Sequence, residues 1–259
     1  MSIRFVPQLA NEIAHDKTSS IVLAKECNQR WRSLRGFAHT ELFSAQALEW
    51  LSQMRLDKAK KMLDFLSLKN GQLVKIADVL FATNANILAN AIVSQDNIED
   101  LGNIEDLKMS TSRIIEFGFP GLVDMYRELF ASSETLTTTL EWAMAELITN
   151  KEAFSKLRDE LTQATKGTKT TLLTDGIDLT SLPYLQACIK ETLRLHPPTP
   201  FLLPRCALKT CHVMNFRIPK DSLVLVNAYA TGRDPKTWED SLNFKPERFL
   251  WWRRGSVES

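Results

Sequence analysis

Long hydrophobic runs are absent from this chain of 259 residues. A membrane-spanning helix needs about 18 or more consecutive apolar residues. The best stretch, VLFATNANILANAIV at 79–93, is interrupted by Asn84, Asn86 and Asn90. The opening MSIRFVPQLANEIAHDK carries no apolar signal-peptide core. A chain without an anchor and without a secretion signal is therefore expected. Net charge is nearly absent as well, at +1, so no nucleic-acid or other polyanionic partner is expected. Cysteine is scarce. Cys27, Cys188, Cys206 and Cys211 show neither CxxC spacing nor a disulfide framework, and they read as reduced thiols of an intracellular protein, with no metal site. Internal repeats and low-complexity segments are missing too.

The composition is that of an ordinary globular chain, 44% hydrophobic and 24% charged. Its length suits one large domain or two small ones. From about Asn28 to Ile92 the apolar residues recur at three- and four-residue steps. Leu48, Leu51, Met54, Ala59, Met62, Leu63 and Leu66 place a helix over 41–66 that ends at the Asn70-Gly71 turn. Further helices are expected at Ile76–Val93 and Glu105–Phe117. Gly118, Pro120 and Gly121 are expected to break the chain before a long helix over 127–150, followed by an amphipathic one over 151–164. Pro183 opens a helix that Pro197 and Pro198 cannot continue. Beyond it, 213–219 and 222–230 read as short strands around Pro219-Lys220-Asp221.

Two charged motifs stand out, KETLRLHPPTP at 190–200 and KPERF at 245–249. Glu191 and Arg194 lie three apart on a helix and can pair. An exposed pair of this kind contributes under about 1 kcal/mol. A buried one needs further hydrogen-bond partners to offset desolvation, and Arg248 could supply the next. The apolar positions Leu185, Ala187, Ile189, Leu193 and Leu195 favour a setting near the core.

The stretch LPYLQACIKETLRLHPPTPFLLPR, followed by IPKDSLVLVNAYATGRDPKTWEDSLNFKPERF, closely resembles the helix K to meander region of a plant cytochrome P450. The family's E-x-x-R falls on Glu191 and Arg194, and its P-E-R-F on Pro246, Glu247, Arg248 and Phe249. The resemblance implies that Glu191, Arg194 and Arg248 form a buried structural triad behind the haem. It also implies that His196-Pro197-Pro198 redirects the chain toward the substrate and haem side. QRWRSLRGFAHTELFS at 29–44 resembles helix C, with Trp31 and Arg35 as haem-propionate contacts, an indole N–H and a guanidinium answering a carboxylate. Arg205 is placed like a further propionate contact. The helix over 127–150 resembles helix I. There ASSET supplies Glu134 and Thr135 as the proton relay to dioxygen, while Ser132 stands where the family has glycine.

The resemblance implies a mainly α fold with a small β region. This is a partial cytochrome P450 fold, with helices resembling C, D, E, I, J and K plus a short sheet and a meander. Residues 1–259 form a single partial domain, with 1–126 as its N-terminal helical part and 127–259 as its helix I to meander part. The family's haem-ligand loop, F-x-x-G-x-R-x-C-x-G, is expected to be missing, since WWRRGSVES closes the chain without a cysteine. The helices that roof the substrate pocket, between Tyr126 and Arg127, and the first sheet strands are expected to be missing too. The implied function is haem-dependent monooxygenation of a small plant secondary metabolite, with O2 and electrons from NADPH–cytochrome P450 reductase, at the endoplasmic reticulum membrane. The alternative is an inactive fragment or a helical interaction module, cytoplasmic for want of an anchor.

Overall fold

The computed structural model describes residues 3–5, 28–42, 44–93, 120–165 and 181–251. Cys27, the helix expected over 105–117 and residues 252–259 lie outside the described residues. Among those described, no helix is long and apolar enough to cross a membrane. The chain divides into two compact units, Met1–Leu136 with Phe201–Val226, and Thr137–Pro200 with Asn227–Ser259.

In the first unit, Asn28 starts helix α1 (Gln29–Phe37) by accepting the Trp31 N–H at 2.9 Å. The helix then widens into a π turn at Ala38–Leu42, where the Thr40 hydroxyl donates to the carbonyls of Gly36 and Phe37. Ser44 caps α2 (Ala45–Trp50) through the Ala47 N–H, and α3 runs Ser52–Leu68. The single helix expected over 41–66 is thus broken at Ser44, whose hydroxyl takes the Ala47 N–H, and again at Leu51. Gly71, at φ +80°, makes the turn that ends α3. Helix α4 (Ile76–Val93) packs on α3 and buries Val79, Leu80, Ala82, Ala85 and Ala89. Its small residues at three- and four-residue steps permit close approach. Asn86, only 4% exposed, shares that buried face.

The same unit holds a three-stranded antiparallel sheet and a hairpin. Strand β1 (Ile3–Phe5) pairs with β2 (Arg205–Ala207), with Ile3 opposite Ala207. Strands β3 (Cys211–Val213) and β4 (Phe216–Ile218) form the hairpin. Strand β5 (Leu223–Val224) completes the sheet on the other side of β2. Ile3–Phe5 therefore supplies an edge strand where the first sheet strands were expected to be missing. The strand read over 213–219 is half turn, since Met214 (φ 49°) and Asn215 (φ 67°) reverse the chain inside it. The strand read over 222–230 stops at Val224 and gives way to a helical turn.

Helix α5 spans Pro120–Thr149. Pro120 opens it rather than breaking the chain, because the first helical residue needs no N–H partner. The second unit contains α5 from Thr137 onward, α6 (Lys151–Ala164), α7 (Pro183–Leu195), the turn α8 (Ala228–Thr231) and α9 (Arg248–Trp251). Its core joins Ala153 and Leu157 of α6 to Tyr184, Cys188 and Leu195 of α7 and to Phe244. Helix α7 turns Ala187, Cys188, Glu191, Thr192 and Leu195 inward, while Ile189 and Leu193 face out.

Candidate functional site

Helix α7 begins at Pro183 with its free N–H groups held from outside. The Glu160 carboxylate, reaching over from α6, accepts the Tyr184 N–H at 2.7 Å and the Leu185 N–H at 2.9 Å. An anion at the positive end of a helix is favourable. This cap fixes the axial position of α7, and hence of the two charged residues near its other end.

Glu191 is fully buried. Its carboxylate accepts a forked pair from Arg194, Nε to Oε2 and Nη2 to Oε1, both at 2.7 Å. Oε1 also accepts the Lys245 backbone N–H at 2.8 Å and Arg248 Nε at 3.0 Å. Two guanidinium ions around one carboxylate leave a surplus positive charge inside the protein, and backbone carbonyls absorb it. Arg194 donates further to the carbonyls of Gly232, Ser241 and Asn243. Arg248 donates to those of Glu239 and Asp240. All five donors of the Arg194 fork are thereby used. A buried ion pair with this density of partners is the case in which attraction can offset desolvation. Its geometric effect is to tie α7 to the irregular segment 232–248, which has little regular backbone bonding of its own.

Further residues finish this arrangement, of which Trp238 and Gly232 are not marked in the sequence pattern. Trp238 lies against both guanidinium groups, 5.3 Å from Arg194 and 5.9 Å from Arg248, and its indole N–H donates to the Thr231 carbonyl at 3.0 Å. An aromatic face beside desolvated cations is attractive. Gly232 is required by contact, since a Cβ there would sit 2.2 Å from the Arg194 carbonyl oxygen. Glu247, inside the KPERF motif, accepts from Lys156 Nζ at 2.8 Å and from the Tyr184 hydroxyl at 2.9 Å. Burial pushes the Glu247 carboxyl up, but the bonds from Lys156, its own backbone and Tyr184 outweigh it and hold the pKa below the ordinary range. His196, the residue that ends α7, stacks on Trp142 of α5 with ring centres 3.8 Å apart and bonds Glu146 at 2.6 Å.

The remaining residues singled out from the sequence lie in the first unit. Trp31 and Arg35 meet on α1, the guanidinium 5.3 Å from the indole ring. Arg205 is exposed on β2. Glu134 and Thr135 are both exposed on α5, whereas Ser133 and Thr137 beside them are buried. The side chain of Ser132 lies outside the described ones.

The cysteines decide how far a haem can be fitted. Cys188 is 2% exposed in the core of the second unit, and burial, with the charges of Glu247 and Glu160, pushes its thiol up to about 12. It stays protonated and packed, which is the opposite of what an iron ligand needs. Cys206 and Cys211 are half-buried on β2 and β3. No cluster of metal-ligating side chains occurs among the described residues. The described residues therefore do not fit a haem-iron ligand, and no chemical step is derived through one.

The fold and the Glu191 cluster define a mainly helical protein with a small sheet, held by a buried ion cluster, and comparison with known proteins specifies the family. The family model for cytochrome P450 matches residues 123–256, just over half of the chain. A probable (S)-N-methylcoclaurine 3'-hydroxylase isozyme 2 from Coptis japonica is 38% identical over 318 residues, covering 96% of this chain and 64% of the relative. An (S)-N-methylcoclaurine 3'-hydroxylase-like protein from Papaver somniferum is 32% identical, with 94% and 75% covered. Geraniol 8-hydroxylase from Catharanthus roseus is 30% identical, with 96% and 65% covered. A zebra fish cytochrome P450 solved with progesterone matches in fold, with TM-score 0.76 at 21% identity, covering 94% of this chain and 72% of the other. The chain belongs to the cytochrome P450 family. It has a partial cytochrome P450 fold and spans a little under two thirds of the length of the Coptis relative. The Coptis alignment is longer than the chain's 259 residues, so that relative carries internal sequence absent here.

Proposed function

We propose that this chain serves a haem-dependent monooxygenase of plant secondary metabolism, acting on a small alkaloid- or terpenoid-type substrate. The buried Glu191–Arg194–Arg248 cluster carries the reading, because it reproduces the family's motif residue by residue at bonding distance. The named activities of the plant relatives support the substrate class. In this reading residues 1–259 act as one partial domain, divided into 1–126 and 127–259. Trp31, Arg35 and Arg205 contact the haem propionates, and Glu134 and Thr135 relay protons on the oxygen side. When bound, the haem supplies oxygen activation, while the chain's own cluster keeps α7 and the segment 232–248 in fixed register. Electrons come from NADPH–cytochrome P450 reductase at the endoplasmic reticulum membrane. The inactive-fragment or interaction-module alternative draws no support from the relatives' names.

The test is to express the protein as its transcript encodes it, in microsomes with the reductase. The preparation is scanned as the reduced CO complex and then supplied with benzylisoquinolines and monoterpenols. The reading requires haem uptake, a thiolate-type band from a cysteine outside the described residues, and NADPH-dependent hydroxylation. Failure to take up haem, or haem without a thiolate band and without product, overturns the reading in favour of the inactive module.

A further inference from the structure

The sheet β1–β2–β5 ends on one side at β5, which has β2 as its one strand neighbour among the described residues. The register sets Cys206 opposite Leu223 and Arg205 opposite Val224. The Ala207 N–H bonds the Ser222 carbonyl at 3.0 Å. In an antiparallel ladder such a bond lies beside a non-bonded pair. Cys206–Leu223 is therefore the non-bonded pair, and Arg205–Val224 exchanges the next bonds. Leu223 aims its N–H and C=O away from β2, and Leu225 does the same one alternation further on. Among the described residues neither outward group finds a backbone partner.

This edge lacks the usual guards. Unpaired edges are commonly blunted by charge, by proline or by a covering element. The run Ser222-Leu223-Val224-Leu225-Val226 holds neither a charge nor a proline. Its side chains are bare as well. Leu223 and Leu225 are each 53% exposed and Val226 is 40% exposed. Uncharged runs of apolar and β-branched residues are those that accept a further strand.

We propose that β5 is a contact between two copies of this chain, joined edge to edge about a two-fold axis at Val224. Leu223 of each copy exchanges backbone bonds with Leu225 of the other, and the two Val224 residues face one another as a non-bonded pair. Charge favours a second copy as the occupant. The charged residues nearest to the run in sequence are Lys220 and Asp221. In this register they stand opposite Ala228 and Asn227 of the second copy, so like charges do not meet. At a net charge of +1 the copies scarcely repel at long range. Two-fold pairing consumes the same edge on both copies and so closes at two. The run is far shorter than the roughly 20–30 residues a side of a stable interface, so the pair dissociates on dilution. The proposal does not rest on the monooxygenase reading.

Sedimentation velocity of the purified chain, over a wide range of concentration, is expected to show monomer passing to dimer and no further. Leu225→Pro removes an N–H that makes no bond to β2. It is expected to weaken the dimer by about tenfold or more and to leave the circular dichroism of the monomer unchanged. Because this substitution could act through folding, cross-linking is read beside it. Val224→Cys is expected to form a disulfide-linked dimer on mild oxidation, beyond the level of the native chain, since a non-bonded pair brings its Cα atoms to about 4.5 Å. Val226→Cys lies on the same face but is offset from its own copy, and is expected to stay at the native level. A chain that remains monomeric throughout, a dimer untouched by Leu225→Pro, or equal cross-linking at the two positions overturns the proposal. So does growth past two copies, since β5 would then pair with a different edge.

Discussion

Replacing Glu191 by glutamine preserves volume and removes the one anion between two buried guanidinium groups. Four hydrogen bonds end on this carboxylate, two from Arg194, one from Arg248 and one from the Lys245 backbone. The amide keeps a single acceptor oxygen, and its NH2 group faces guanidinium N–H donors. Arg194 and Arg248, whose side chains are 3% and 12% exposed, are then left without a counter-charge. Removing one partner from a buried pair costs about 3–5 kcal/mol, a large share of the roughly 5–15 kcal/mol that stabilises a domain. Urea unfolding followed by near-UV circular dichroism measures the loss. Glu152→Gln is the control, since that carboxylate is 83% exposed in its pair with Lys156 and should cost under about 1 kcal/mol. In the Glu191→Gln background, Arg248→Gln should cost less than in the native chain, because both residues act on one carboxylate. A loss under about 1 kcal/mol for Glu191→Gln, similar to the control, would refute the claim that this cluster holds α7 to the segment 232–248.

Two further outcomes follow from the same region. Gly232→Ala should destabilise by about 2 kcal/mol or more, because the new Cβ meets the Arg194 carbonyl carbon and oxygen rather than a movable side chain. The same unfolding measurement checks it, and a neutral result would mean that 232–233 shifts freely. Cys188 should make the chain labile in alkali. Below about 9 its thiol is neutral in both states. Above that the unfolded chain ionises while burial holds the folded pKa near 12, so stability falls as pH rises through that window, by at most about 1.4 kcal/mol per unit. Tyr184, raised first by burial and then by Glu247, adds to the fall at higher pH. Cys188→Ala should flatten the limb just above pH 9 in a series of urea midpoints, and an unchanged limb would contradict the burial account.

The family and most helix positions were legible in the residues. Proline at position 183 and the proline pair at 197–198 bound α7 because proline lacks an N–H and its ring restricts the residue before it. The spacing of Glu191 and Arg194 put them on one face for the same local reason. Local rules failed where a local alternative competed. Ser44 split one expected helix, Pro120 started a helix that it was expected to precede, and Met214-Asn215 turned an expected strand into a hairpin. Whether the Glu191–Arg194 pair was an exposed pair of little consequence or a buried one was not decidable from spacing. Only the packing of Lys245, Arg248 and Trp238 around it settles that, because desolvation and the count of partners belong to the assembled environment. The cap from Glu160 and the bond of Tyr184 to Glu247, 63 positions away, leave no trace in any pattern along the chain. The sequence by itself determined which family this chain belongs to and where α4, α6 and α7 start and stop. The tertiary structure decided which charges are buried and which apolar residues remain uncovered, since burial is a property of neighbours distant in the sequence.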